Sequence, residues 1–251
     1  MRGRVFIVGL GPGSREHITR RAEEALAESE VVVGYPLYLK QVEELIEGKE
    51  VVSGGMGEEL RRAAEAVSLA LEGRKVAVVS SGDAGVYGMA SAVLEYIAGR
   101  ELEVEVEVVP GVTSALACAA LLGSPLGNDF AVVSLSDLLV PWEEIERRLE
   151  HAAAADFVVA LYNPGSRRRS WQMRRAKEVL LKHRSPETPA GVVRNASRDG
   201  ESSELTTLGK LPERVDMLTT VIVGNSRSYT YRGWMITPRG YTSKYSLRDT
   251  G

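Results

Sequence analysis

Short runs of β-branched residues alternate with helical patterns through the first half of the chain. Most of these runs are apolar on consecutive positions, as strands covered on both faces are. They predict strands over residues 5–8, 31–33, 76–80 and 104–109. Between them, apolar residues recur on one helical stripe in two places, formed by Ile18, Ala22, Ala25 and Leu26 and by Leu60, Ala64, Val67 and Leu71. This alternation favours a mostly parallel sheet with helices packed over it.

The pattern changes near Pro110, where a strand ends and a helix of small apolar residues is predicted over residues 113–122. A run rich in Gly, Ser and Pro over residues 123–127 then breaks the chain. The second half predicts strands over residues 130–135, 157–162, 190–194, 205–208 and 219–223, with helices over 142–152 and 166–182. The fold class is therefore α/β, with mostly parallel or mixed sheets in two domains. We predict an N-terminal domain over 1–112, a connecting helix and linker over 113–127, a C-terminal domain over 128–241 and a loose tail over 242–251.

Composition narrows the class of partner. The 251 residues carry a formal net charge of -3 and a pI near 5.8, which give no general attraction to nucleic acid or to anionic lipid. A small molecule is therefore the expected partner. Cys118 is the only cysteine, so a disulfide framework and a Cys-rich metal site are excluded. We expect a cytoplasmic protein without a signal peptide, a membrane span or a bound metal.

A glycine-rich segment directly follows the first predicted strand. It consists of Gly9, Leu10, Gly11, Pro12 and Gly13. Glycines there let the backbone approach a ligand, and the next helix offers its N-terminus to an anion. A dinucleotide site is one interpretation, although Pro12 interrupts the pattern and the spacing is not G-x-G-x-x-G. A tight strand-to-helix turn with no ligand is the other.

A second run of small residues, 80–88, follows another predicted strand. It contains Ser81, Gly82, Asp83, Ala84 and Val86. Such residues leave room for a ligand against backbone amides, and the carboxylate of Asp83 is suited to accept hydrogen bonds from an amine or from ribose hydroxyls. The alternative makes Asp83 a helix N-cap and the glycines packing devices.

Two further segments end predicted strands in polar residues, namely residues 110–114 and 162–166. Ligands of open α/β sheets bind outside the carboxyl ends of the strands, so we expect these two loops and the two small-residue segments above to converge on one cleft. Residues 190–200 also end a predicted strand in polar residues. Asn195 is suited to hydrogen-bond an adenine or a carboxamide, or else it turns the chain. An arginine cluster is suited to bind the carboxylates of a substrate, and it consists of Arg167, Arg168, Arg169, Arg174 and Arg175. A solvated helix face is the alternative for this cluster, and nucleic acid is disfavoured.

Seven segments, read in order, resemble the tetrapyrrole methyltransferase family. They are VGLGPG (8–13), SSGDAGVYGMA (80–90), VVPGVTSALA (108–117), SLSDLLVPW (134–142), LYNPGSRRRSWQ (161–172), VVRNASRDGE (192–201) and DMLTTVIVGNS (216–226). The last four most resemble the subgroup that methylates precorrin-3B or cobalt-precorrin-3B at ring carbon 17. The resemblance covers nearly the whole chain up to Tyr241.

The resemblance implies an enzyme that binds S-adenosylmethionine as cosubstrate in a cleft between two α/β domains. The implied cofactor-binding residues are Pro12, Ser81, Gly82, Asp83, Ala84, Val86, Thr113, Ser114, Tyr162, Asn163, Asn195, Ala196 and Thr220. Gly11 is implied to lie near the tetrapyrrole, and family members are commonly homodimers. We therefore expect methylation of a corrin precursor at carbon 17, with ring contraction, in cobalamin biosynthesis.

Two positions depart from the family pattern. The second motif reads GDA instead of the commoner GDP, and Asn128 stands where members of the subgroup often have His. The sequence names no acid or base for ring contraction and leaves open whether the substrate carries cobalt. Another tetrapyrrole methyltransferase, a nucleotide-dependent oxidoreductase and a non-catalytic metabolite sensor are the alternative functions.

Overall fold

A computed structural model describes residues 3–165 and 170–245 of the chain. These residues form two compact units, one ending at Ser114 and the other beginning at Ala115. The helix predicted over residues 113–122 begins at Ser114 and lies almost wholly in the second unit. No helix within the described ranges is long and apolar enough to cross a membrane.

The N-terminal unit contains a five-stranded sheet in which every pairing is parallel. Its strands are β1 (Arg4–Gly9), β2 (Val31–Gly34), β3 (Glu50–Ser53), β4 (Lys75–Ser80) and β5 (Glu105–Val109). They lie in the order β3-β2-β4-β1-β5, so the predicted parallel sheet is confirmed. The sequence missed β3, because this edge strand is largely exposed and has no run of buried apolar positions.

Helices cover both faces of this sheet and explain its consecutive apolar positions. The helices are α1 (Arg20–Glu28), α2 (Pro36–Gln41), α3 (Glu59–Leu71) and α4 (Met89–Gly99). Side chains of a strand alternate between faces. Val5 and Ile7 therefore pack in one hydrophobic core with α3 and α4, whereas Phe6 and Val8 pack in a second core with α1 and α2.

The structure confirms one of the two predicted apolar helical stripes and corrects the other. Helix α1 buries Ala22, Ala25 and Leu26, as its spacing predicts. The stripe on α3 is wrong at its ends, since Leu60 and Leu71 are 63% and 51% exposed. Helix α3 instead buries a face of small residues that permits close packing on the sheet and on α4, and this face consists of Ala63, Ala66, Val67 and Ala70.

The C-terminal unit contains a mixed sheet and a second, small sheet. Its strands are β6 (Gly123–Ser124), β7 (Phe130–Ser134), β8 (Val158–Tyr162), β9 (Pro189–Arg194), β10 (Ser202–Thr207), β11 (Thr219–Val223), β12 (Tyr229–Tyr231) and β13 (Trp234–Ile236). The mixed sheet has the order β10-β9-β11-β8-β7, and the small sheet has the order β12-β13-β6. Its helices are α5 (Ser114–Leu122), α6 (Trp142–Ala154), α7 (Gln172–Leu181) and α8 (Tyr241–Lys244). In the large sheet β7 pairs with β8 in parallel, and the other pairings are antiparallel.

Three predicted boundaries of this unit need correction. The helix predicted from residue 166 is α7, which begins at Gln172. Residues 166–169 lie outside the described residues, and Trp171, just before the helix, packs edge-on against Trp142 with ring centroids 4.7 Å apart. Strand β10 runs over Ser202–Thr207, since its start is set by hairpin pairing with β9 instead of by apolar periodicity. Residues 242–244 of the predicted loose tail lie in α8, and residues 246–251 lie outside the described residues.

A buried arginine joins two strands of the large sheet. Arg184 is 6% exposed and lies in the segment between α7 and β9. Its guanidinium donates to the carbonyl oxygens of Val223 and Gly224 at the end of β11 and to that of Phe157 just before β8. Arg184 therefore holds the adjacent ends of β8 and β11 together.

Candidate functional site

Three loops of the N-terminal unit lie side by side at one edge of its sheet. Strands β4, β1 and β5 are neighbours and parallel, so the loops that follow them leave the same edge. This edge, at the carboxyl ends of the strands, is where open α/β sheets bind ligands. The structure thus brings together the predicted site residues of this unit, which are Gly11, Pro12, Ser81, Gly82, Asp83, Ala84, Val86, Thr113 and Ser114.

Backbone hydrogen bonds join the first two loops. The Gly11 N–H donates to the Gly82 carbonyl at 3.0 Å, and the Gly82 N–H donates to the Gly11 carbonyl at 2.7 Å. Both residues have left-handed backbones, with φ of +73° and +69°, which glycine adopts without steric cost. The glycines of these two loops therefore determine how the loops pair.

The third loop lies against the same backbone. An ideal Cβ on Gly9 would lie 2.7 Å from the Gly111 nitrogen and 2.8 Å from the Gly82 oxygen. A Cβ on Gly111 would collide with the Gly82 oxygen and lie 2.7 Å from the Gly9 carbonyl carbon. Gly9 and Gly111 lie in segments predicted as ligand loops but were not assigned as individual binding residues. Their contact was missed, because close approach between distant segments cannot be read from local sequence.

Asp83 connects its own loop to the third loop. Its Oδ1 accepts hydrogen bonds from the backbone N–H groups of Gly85 and Val86, at 2.8 and 3.1 Å. Its Oδ2 accepts a hydrogen bond from the Gly111 N–H at 2.9 Å. The helix-capping alternative for Asp83 is wrong, since Gly88 occupies the cap of α4. Asp83 organises the loops through their backbone.

Gly82 is buried, and the segment after β5 packs against it. An ideal Cβ on Gly82 would lie 3.8 Å from backbone atoms of Thr113 and Ser114, which is an ordinary contact distance. Ser81, Thr113 and Ser114 are partly exposed. A ligand at this edge of the sheet can therefore reach these three hydroxyl-bearing side chains.

The predicted residues of the C-terminal unit also lie at one edge of a sheet. Strand β11 is antiparallel to both β8 and β9, and β7 is parallel to β8. The ends of β7, β8 and β9 and the start of β11 therefore share an edge. The structure places there all of the remaining described site residues, which are Tyr162, Asn163, Asn195, Ala196 and Thr220.

The two asparagines at this edge adopt left-handed backbones, with φ of 52° for Asn163 and 54° for Asn195. Asparagine tolerates this conformation better than most residues. The Asn163 amide donates to Ser134 Oγ at 3.0 Å, and the Asn195 amide donates to the carbonyl oxygen of Asp199 at 3.3 Å. In this structure Asn195 turns the chain, as one of its two sequence interpretations proposed.

Tyr162 and Thr220 lie on the buried side of the edge. The Tyr162 hydroxyl accepts a hydrogen bond from the backbone N–H of Ala115, at 2.5 Å, and so fixes the first turn of α5. Thr220 is 8% exposed, and its side chain is hydrogen-bonded to the thiol of Cys118 in the same helix. The two residues therefore tie β8 and β11 to α5.

Cys118 is expected to resist alkylation in the folded protein. Burial raises the pKa of its thiol from 9.0 to about 11, although the hydrogen bond with Thr220 acts in the opposite direction. At pH 8 the thiolate fraction is then roughly 100-fold lower than for an ordinary thiol. Iodoacetamide labelling, followed by mass spectrometry, should be at least about 100-fold slower in buffer than in urea. Equal rates would contradict the buried position.

The same pKa shift predicts a pH dependence of stability. A raised pKa means that the folded state holds the thiol proton more tightly than the unfolded state does. The contribution of the protonated Cys118 thiol to the free energy of unfolding is therefore fully present below pH 9. This contribution is lost as the pH rises towards 11.

The arginine cluster is described only in part. Arg167 and Arg168 lie outside the described residues. Arg175, at the start of α7, forms ion pairs with Glu146 at 2.8 Å and with Glu178 at 2.9 Å. For Arg175 this agrees with the solvated helix face that was the alternative. Among residues 3–165 and 170–245, no group of three or more His, Cys, Asp and Glu side chains is placed to hold a metal ion.

Comparison with known proteins identifies the family. Residues 4–212 match the family model described as Tetrapyrrole (Corrin/Porphyrin) Methylases. The chain belongs to this family. The family resemblance is thereby confirmed, and with it the prediction that the two units have the α/β fold of these enzymes.

Two relatives of this tetrapyrrole methylase are named as methyltransferases of cobalt-factor III. Cobalt-factor III methyltransferase of Priestia megaterium is 51% identical over all of this chain, which spans only 47% of that relative's length. The probable cobalt-factor III C(17)-methyltransferase of Salmonella typhimurium is 49% identical over 94% of this chain and 98% of its own length. The chain thus spans about half of one relative and nearly all of the other.

Solved structures of methyltransferases are similar in fold to this chain. The methyltransferase CobJ matches with a TM-score of 0.90 and 38% identity, over 94% of this chain and 100% of CobJ. Uroporphyrin-III C-methyl transferase from Thermus thermophilus, complexed with S-adenyl homocysteine, matches with a TM-score of 0.68 and 29% identity, over 88% of this chain and 97% of that one.

Proposed function

We propose that the chain transfers a methyl group from S-adenosylmethionine to ring carbon 17 of a corrin precursor, with ring contraction, in cobalamin biosynthesis. The observation that carries the proposal is the shared backbone framework of the loops after β1, β4 and β5, found in a member of the tetrapyrrole methylases. Loops of this kind at the carboxyl edge of a parallel sheet suit a cofactor that packs against the backbone.

The partly exposed residues around Gly82 suit the proposed cofactor. Ser81, Thr113 and Ser114 offer hydroxyl groups to a ligand at this edge, and buried Gly82 packs against the segment that carries Thr113 and Ser114. Asp83 holds the loops in place through three backbone N–H groups. The proposal assigns the other cofactor contacts to Pro12, Ala84, Val86, Tyr162, Asn163, Asn195, Ala196 and Thr220, and places Gly11, Arg167 and Arg168 at the substrate.

Positioning supplies much of the rate in this reaction. Methyl transfer from a sulfonium is an in-line displacement in which positive charge leaves sulfur as the new carbon–carbon bond forms. Holding donor and acceptor in line is worth several orders of magnitude in rate, so an elaborate set of catalytic side chains is unnecessary.

Asn128 is assigned no acid or base role in the proposed reaction. Its side-chain oxygen accepts a hydrogen bond from the backbone N–H of Asp129, and an amide is not an acid or base at neutral pH.

The relatives' names favour a substrate that already carries cobalt. Both the Priestia and the Salmonella proteins are named for cobalt-factor III. The proposal also includes a homodimer in the cytoplasm. Parallel turnover assays with cobalt-loaded and cobalt-free precursor, followed by mass spectrometry, test the substrate, and light scattering tests the dimer.

Calorimetry with S-adenosylhomocysteine, NAD and NADP tests the proposed cofactor. Binding of S-adenosylhomocysteine alone is the expected result, because the first loop lacks the dinucleotide spacing and the chain belongs to the methylases. Binding of only a dinucleotide would favour the oxidoreductase alternative. A protein that binds S-adenosylhomocysteine but leaves every corrin precursor unmethylated would be a sensor.

Replacing Asp83 by asparagine is expected to weaken S-adenosylhomocysteine binding about tenfold. One carboxylate oxygen becomes an NH₂ group, which cannot accept a backbone N–H, and a hydrogen bond to a charged group is worth about 1.5–3 kcal/mol. Calorimetry measures the affinity, and Glu95→Gln, an exposed acid on α4, is the control. Unchanged affinity in Asp83→Asn would show that the loops do not depend on this carboxylate.

A further inference from the structure

Arg62 is a buried arginine on α3, outside the three cofactor loops. It is 5% exposed. Its guanidinium donates to the carbonyl oxygens of Gly54, at 3.2 Å, and Gly55, and also to Glu59 Oε1, at 3.2 Å. Its Nε is buried without a hydrogen-bond partner. Burying a charged group costs free energy, so an arginine here requires a reason beyond filling the core.

The carbonyls that Arg62 binds belong to the loop over residues 54–57, which follows β3. This loop has the sequence Gly-Gly-Met-Gly, and such a glycine-rich segment has high conformational entropy unless it is held. The first turn of α3 also binds its N–H groups, since Glu58 accepts from Gly55 and Glu59 accepts from Gly57. The start of α3 therefore fixes this loop through its backbone.

Gly54 and Arg62 fit one another closely. An ideal Cβ on Gly54 would lie 2.8 Å from Cγ and 3.1 Å from Cδ of Arg62. The aliphatic stem of the arginine therefore occupies the space that a side chain at position 54 would need. The loop over residues 54–57 and the side chain of Arg62 therefore pack directly against each other.

Arg62 also contacts the base of the cofactor loop after β4. Its Nη2 lies 3.8 Å from the sulfur of Met89, the first residue of α4. The Met89 N–H in turn donates to the hydroxyl of Ser80, at the end of β4, at 2.9 Å. One guanidinium thus links the loop after β3 to the segment that ends the loop after β4.

The loop after β3 presents one apolar side chain. Met56 is 64% exposed, although the backbone on either side of it is held by α3. The carboxyl ends of β3 and β4 lie at the same edge of the parallel sheet, two strand spacings or about 10 Å apart. A tetrapyrrole is wide enough to cover this separation, and the flexible thioether of methionine adapts well to a flat apolar surface.

We propose that Met56 contacts the ring of the corrin precursor and that Arg62 is the positioning residue that holds Met56 there. This inference rests on the proposed function and adds to it a substrate contact and its support. Met56 lies in the loop after β3 and not in the three loops assigned to the methyl donor. Met56→Ala is therefore expected to act on the corrin substrate and leave the affinity for S-adenosylhomocysteine unchanged, whereas changes at Arg62 also alter the packing of Met89 beside the loop after β4.

The test compares Met56→Ala, Arg62→Met and Arg62→Lys with the wild-type chain, with cobalt-factor III as substrate. Met56→Ala is expected to raise KM for the corrin severalfold with kcat little changed, because it removes apolar contact area. Arg62→Met is expected to raise this KM severalfold as well, because Arg62 acts through the position of Met56. Arg62→Lys should restore part of the loss, and amide exchange over residues 54–57 should rise in Arg62→Met.

Two control variants remove similar groups elsewhere in the same unit. Arg74→Met deletes an arginine that forms a surface ion pair with Glu50 at 2.7 Å, and Leu71→Ala deletes an exposed leucine at the far end of α3. Both should keep the wild-type KM. If Arg62→Met does not fold, Met56→Ala decides the outcome by itself.

An unchanged KM for the corrin in Met56→Ala, with normal affinity for S-adenosylhomocysteine, would overturn this inference but not the proposed function. A wild-type chain that neither binds S-adenosylhomocysteine nor methylates the corrin would overturn the proposed function and the inference with it.

Discussion

Gly111→Ala is expected to reduce the affinity for S-adenosylhomocysteine by at least about 100-fold, or about 2.7 kcal/mol. The added methyl group would collide with the Gly82 carbonyl oxygen and lie 2.7 Å from the Gly9 carbonyl carbon. All of these atoms are backbone, so no side chain can rotate away to make room. The loops after β1, β4 and β5 would have to separate, and Asp83 would lose its hydrogen bond from the Gly111 N–H.

Calorimetry measures the affinity of Gly111→Ala, and circular dichroism checks that the chain remains folded. Gly99→Ala is the matched control, because an ideal Cβ on Gly99 has no neighbouring atom within 4 Å. The control should bind S-adenosylhomocysteine as the wild type does. A Gly111→Ala variant with wild-type affinity would refute the close packing of the three loops.

Arg184→Met is expected to cause the largest loss of stability, about 3–5 kcal/mol. The variant leaves the carbonyl oxygens of Phe157, Val223 and Gly224 without the donor that they share. The hydrogen bonds to Val223 and Gly224 are buried, and each buried unpaired carbonyl costs about 1–3 kcal/mol. Burial lowers the pKa of Arg184, and the charge of Asp156 opposes this shift. The carbonyl hydrogen bonds therefore offset a real cost of burying the guanidinium.

The midpoint of thermal unfolding should fall by about 10 °C, since 1 kcal/mol corresponds to roughly 2–4 °C at this chain length. Scanning calorimetry measures the change. Arg148→Met, which removes an exposed ion pair with Glu144 on α6, should shift the midpoint by about 1–2 °C at most. Similar shifts in the two variants would mean that Arg184 contributes no more than a surface arginine.

The spacing of apolar residues predicted most of the strands and helices, because it shows which side of each element is buried. Strand β11 begins and ends where predicted, at Thr219 and Val223. Strand β3 was missed because its place at the sheet edge leaves it largely exposed. The buried face of α3 was misjudged because the close approach of its alanines to the sheet, and not the size of its leucines, determines which side packs.

The candidate site was harder to derive from the sequence. The composition of the loops after β1 and β4 indicated a ligand, because runs of glycine and small residues follow buried strands there. The sequence did not reveal that Gly9, Gly82 and Gly111 touch, since that contact depends on strand order. It also did not reveal Arg62, which appears on α3 as one of two adjacent arginines and differs from exposed Arg61 only through burial.

The loops after β1, β4 and β5 are joined by main-chain atoms, by the glycines at positions 9, 11, 82 and 111, and by the carboxylate of Asp83. The relative position of these loops is therefore determined by main-chain geometry, which most substitutions of neighbouring side chains leave unchanged. Mutational tolerance in this part of the chain should accordingly be lowest at Gly9, Gly82, Asp83 and Gly111.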